Sequence, residues 1–154
     1  MVEIPHVLVG AAIAAKVGNP ALALPLALAS HFVLDMLPHW NPSIHSQLKS
    51  LGKVANPTKK LIAVESTLAL IAGLLVATTV LPNYYHAVVV ILGAFMGVLP
   101  DVVEIPYYFW GQRGGKLMLA YVNFNRSIQN DVPMLPGILV QILVSVAAIW
   151  WILI

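Results

Sequence analysis

The chain has 154 residues, 60% of them hydrophobic and 9% charged, with a net charge of +2 and a mean hydropathy of +0.88. A soluble domain carries about 25% charged residues, so this composition excludes that class, and the length allows a single domain (1–154). The absence of cysteine excludes disulfides and thiolate metal ligands. The pI near 9.0 comes without a basic helix or aromatic-interleaved patch, so nucleic-acid binding is not expected.

The apolar run from Met1 to Ala23 ends in small residues, as a secretory signal does. A signal opens on basic residues, however, and the only early charge here is Glu3, so the segment is expected to be retained. The first helix is expected over Ile4–Val17, about 21 Å long and shorter than a bilayer crossing. Gly18-Asn19-Pro20 forms a turn, and Pro20 opens a second, Ala- and Leu-rich helix reaching Leu37. Its small residues suit a tight hairpin with the first.

A polar loop with Lys49, Lys53, Lys59 and Lys60 follows, from Pro38 to Lys60. A full-length span is expected over Leu61–Leu81, its one charge being Glu65. After Pro82-Asn83-Tyr84-Tyr85, a helix over His86–Trp110 carries Asp101 and Glu104 and is expected to bend at Pro100. A loop over Gly111–Pro133 holds Arg113, Lys116 and Arg126, and the last helix, Met134–Ile154, is uncharged. The fold class is therefore an all-α integral membrane protein, a bundle of about five transmembrane or membrane-embedded helices with the first one short.

An N-terminus in the cytoplasm puts both long loops there, and with them seven of the eight Lys and Arg residues, all but Lys16. Trp40 and Trp110 then mark the inner interface, and Tyr84, Tyr85, Trp150 and Trp151 the outer. In this topology His6, His31, Asp35, His39, Glu65, Asp101 and Glu104 fall at one depth, near the cytoplasmic side, and only His86 lies opposite. Four of the six acids (Asp35, Glu65, Asp101, Glu104) sit in apolar spans without a basic partner. They must be protonated, paired with imidazolium or bound to a cation.

His31 and Asp35, four residues apart, share one helix face; they either pair with each other or ligate a metal. Asp101 either caps backbone groups at Pro100 or joins the same metal with Glu104 one turn on. Glu65 is a candidate general base, while His39 and His45 suit either ligation or a surface position. The Gly93/Gly97 pair fits close helix packing, and Gln141 and Ser145 fit hydrogen bonds to another helix. Without cysteine the metal would be zinc, manganese, magnesium or iron, and the number of donors leaves room for two ions; zinc is favoured.

These residues resemble the LexA-regulated inner-membrane metal-dependent hydrolase family of bacteria and archaea. The shared elements are an early His (His6), a buried His before Asp-x-x-Pro-His (His31 to His39), and a late Leu-Pro-Asp (Leu99-Pro100-Asp101). The chain is more distantly similar to zinc-dependent phospholipases C. It departs from the family where Glu104 replaces a Pro-Asp-x-Asp-His ending and where Asn125 occupies the expected place of a His.

The resemblance implies a multi-pass protein of a prokaryotic cytoplasmic membrane. Residues and resemblance together suggest metal ligands His6, His31, Asp35, His39 and Asp101, with Glu104 or Glu65 as base. Arg126 would hold a phosphate or lipid headgroup. The expected reaction is hydrolysis of an ester or phosphoester, lipid-linked in one version, with membrane lipids as partners. Two rivals are a non-catalytic membrane subunit with a structural metal and a small cation- or proton-handling protein. A homo-oligomer through the last helix is also open.

Overall fold

Helix α1 (Glu3–Val17) and helix α2 (Pro20–Asp35) form the expected hairpin. Its turn is set by Gly18, whose φ of 68° favours glycine and whose N–H reaches Ala14 O, and by Asn19, whose side chain accepts from Ala21 N at 3.0 Å. Strand β1 (Pro38–His39), helix α3 (Ile44–Leu51), helix α4 (Asn56–Thr78), helix α5 (Tyr84–Phe109), helix α6 (Gly115–Ile128), strand β2 (Asn130–Asp131) and helix α7 (Met134–Leu153) follow. The computed structural model describes residues 1–111 and 114–154; Arg113, counted above among the basic loop residues, lies outside them.

The described residues thus form seven helices rather than five, because each polar loop contains one. Leu48 of α3 and Val122 of α6 are buried with Val54, Tyr107 and Tyr108 in a second, smaller core at one end of the bundle. The i, i+4 pairs Ile44/Leu48 and Met118/Val122 supply the needed apolar faces. Strands β1 and β2 pair in parallel, Pro38 with Asn130 and His39 with Asp131, tying the two loops together. Helix α4 starts five residues before the expected Leu61, because Pro57 is preorganised for a first helical turn. Lys59 and Lys60 therefore belong to the start of that helix and not to a loop.

Helices α4, α5 and α7 are long and apolar enough to cross a membrane, while α2 is apolar but shorter. Helix α1 is the centre of the bundle and packs against α2, α4, α5 and α7. Ala11, Ala12 and Ala14 on it are fully buried. Its closest neighbour is α5, where Gly93 and Gly97 meet Gly10 and the His6 carbonyl backbone to backbone; a Cβ at Gly93 would lie 2.7 Å from Gly10 O. The G-x-x-x-G spacing is thus a packing device, as expected. The outer faces of α4 and α7 leave Val64, Leu70, Leu135 and Leu143 more than half exposed, an apolar surface suited to hydrocarbon.

Candidate metal centre

Helix α2 delivers His31 and Asp35 on one face of its last turns, α1 delivers His6 from its first, and α5 delivers Asp101 just after Pro100. The close α1–α5 approach brings them together. The rings of His6 and His31 stack with centroids 4.1 Å apart. His31 Nδ1 donates to Gly97 O at 2.8 Å, which leaves Nε2 facing Asp35 Oδ2 at 3.4 Å and Asp101 Oδ1 at 3.8 Å. Nε2 of His31, Oδ2 of Asp35 and both ring nitrogens of His6 are buried without hydrogen-bond partners. A lone pair and a carboxylate this close, out of water, require positive charge between or on them. His6, His31 and Asp101 each offer one ligand atom within 4.8 Å of the others, so the three form a group that could hold a metal ion. Orphaned imidazole nitrogens beside carboxylates fit such an ion, and the Nδ1–H bond to a carbonyl is the kind of support that orients a ligating histidine.

Asp35 is the hub of the cluster but not one of those three. Its Oδ1 accepts from the N-terminal ammonium of Met1 at 2.6 Å and lies 3.3 Å from His6 Nε2. The basic side chains counted in the sequence do not include this cation, which is a backbone amino group. His39 is fully buried, not at the surface. Its Nδ1 donates to Leu37 O at 2.8 Å and its Nε2 accepts from Asn41 at 3.1 Å, while Asp131 Oδ1 lies at 3.6 Å and Asp35 Oδ1 at 4.0 Å. Burial, helped by the Met1 ammonium, pushes the His39 pKa down, and both ring nitrogens are engaged.

Glu65 accepts from Ile4 N at 2.7 Å, and Gln141 accepts from Val2 N at 2.9 Å. Two neighbouring helices thereby satisfy amide groups that the start of α1 leaves unpaired. Ser145, expected to reach another helix, instead bonds Gln141 O in its own. Glu104, one turn beyond Asp101, is buried and accepts from Asn125 at 2.8 Å. Asn125 itself is buried, so the position where a histidine was expected does face the site. Arg126 is exposed at the end of α6.

Glu3, Glu65, Asp101, Glu104 and Arg126 all line one cleft of about 640 Å³. Of the positions singled out, Glu65, Asp101 and Glu104 line this cleft with Arg126, whereas His6, His31, Asp35 and His39 are buried beside one another behind it. No protein-family model, curated protein or solved structure matches the chain.

Proposed function

We propose that the chain is a membrane-bound, metal-dependent hydrolase of esters or phosphoesters, working at the cytoplasmic interface of a prokaryotic inner membrane and akin to the LexA-regulated hydrolase family. The observation that carries this reading is the set of buried, unpartnered nitrogens of His6 and His31 beside Asp101, which itself lines the adjoining cleft.

Two imidazoles and a carboxylate are a donor set for zinc, with iron(II), manganese or magnesium as alternatives. When bound, such an ion supplies Lewis-acid activation of water and of a carbonyl or phosphoryl oxygen. His31, held by Gly97 O, and His6, stacked on it, keep their nitrogens aimed at the shared point. Asp35 supplies negative charge that orients both rings. Glu104 is the favoured base: Asn125 engages only one of its oxygens, whereas Glu65 is committed to the start of α1. Arg126 at the rim would hold the anionic part of a substrate.

The test is turnover of fluorogenic carboxyl esters, phosphomonoesters and phosphodiesters by zinc-loaded protein in nanodiscs. Glu104→Gln should lose about 10²- to 10⁴-fold in kcat while retaining metal. Turnover that persists unchanged in His31→Ala and Asp101→Ala would sink the assignment.

A structural role is the second reading. It is favoured by the use of Glu65 and Asp35 to anchor the first residues of α1, and it predicts metal-dependent folding with no turnover.

A further inference from the structure

We infer that the cleft is a phospholipid-binding site, with one acyl chain lying in the trough between α4 and α5 and the headgroup phosphate at Arg126. This names the substrate class of the proposed hydrolase and rests on that reading for the chemistry, but not for the binding.

The cleft is one continuous space with two unlike ends. Its polar end is lined by Glu3, Glu65, Asp101 and Glu104, with Arg126 at the mouth; its other end runs down an apolar trough past Leu70 and Leu74 on α4 and Phe95 and Ile91 on α5. Ser66, Ala69 and Gly73 recur at helical spacing along α4 and line that trough, so the concavity is a stripe of small side chains between large ones.

Its length can be measured along either wall. From Glu65 to Leu74 on α4 the rise is about 14 Å, and from Asp101 to Ile91 on α5 about 15 Å. Both match half of a hydrocarbon core of about 30 Å, the reach of one leaflet's acyl chains. The trough also opens sideways: Leu70 is 63% exposed, and Leu74 and Phe95 are each 46% exposed. In a bilayer such a trough is filled with hydrocarbon, and a volume of about 640 Å³ is ample for one chain.

The mouth favours a phosphate. Arg126 forms no ion pair among the described residues. His45 on the same rim has a buried, unpartnered Nδ1. Burial and the nearby Arg126 and Lys49 charges push its pKa down.

The experiment is photolabelling in nanodiscs with a phosphatidylglycerol carrying a diazirine at the end of one acyl chain, read by peptide mass spectrometry. Label should concentrate on residues 70–74 and 91–95, about tenfold above the exposed Leu139 and Leu143 of α7. Ser66→Trp, which fills the trough, should remove that excess while leaving metal content unchanged. Even labelling of α4, α5 and α7, or an excess that survives Ser66→Trp, overturns the inference. So does a trough that excludes the lipid because a second copy of the chain occupies it, seen as cross-links between copies from cysteines at Leu70 and Phe95. Binding is read without turnover, so an inactive protein whose trough is labelled would refute the hydrolase reading and leave the lipid site standing.

Discussion

His31 shows how one side chain constrains the site. Because Nδ1 is used on Gly97 O, its other nitrogen has no choice but to face Asp35 and Asp101. That pairing was legible in the sequence, since an i, i+4 spacing on one helix needs no tertiary information. Gln141 reaches another helix as expected, but the roles of Glu65 and Asp35 were not legible, because their partners are a backbone amide and the amino group at the start of α1, which carry no residue-type signature. His39 was legible as a candidate but not as a buried, hydrogen-bonded ring, which depends on Asn41 and the pairing of β1 with β2. Asp35 faces the Met1 ammonium and three imidazoles in a buried setting, and removing it strands those groups. Asp35→Ala should therefore cost about 3–5 kcal/mol of stability, measured by denaturant unfolding in detergent. A loss below about 1 kcal/mol, the scale of an exposed pair, would show that the cluster is more hydrated than the buried geometry implies.

At the scale of elements, the contact of α1 with α5 positions everything else. Gly97 lets the His6 carbonyl approach, and a Cβ at Gly97 would lie 3.1 Å from the carbonyl carbon of His6. Gly97→Val should destabilise by about 1–3 kcal/mol through overpacking and also reduce metal content, because it pushes His6 away from His31. Thermal unfolding and elemental analysis of the same preparation check both. Normal metal content in a destabilised variant would mean that His6 is not a ligand. The three helices long and apolar enough to span a membrane and the shorter apolar α2 were legible from hydropathy, and the close packing of α1 from its Gly and Ala content. Helices α3 and α6 were not: each buries only one or two side chains in the second core, too few to stand out against the surrounding lysines and serines.

For the whole molecule, the membrane character read from composition holds in three helices able to span a membrane rather than about five. Tyr84, Tyr85 and Trp150 are all more than 60% exposed at the end away from the acid cluster. The sidedness proposed from the basic residues is open to a direct experiment, since the chain has no cysteine of its own. Cysteines placed at Lys49 and Lys116 should react with an impermeant maleimide only from the cytoplasmic side, and one at Tyr84 only from the other. Labelling of Lys49→Cys and Tyr84→Cys from the same side would refute the orientation and with it a cytoplasmic site.

The chemistry proposed for the site depends on a divalent ion shared by α1, α2 and α5. Metal content should be measured on protein purified in detergent without chelators, wild type beside His31→Ala and Asp101→Ala. The expected result is about one equivalent of zinc or another divalent metal in the wild type, lost in both variants while each still folds. A wild type free of metal, or variants that keep it, would contradict the shared centre and leave the histidine–carboxylate cluster as a device for holding α1 in place.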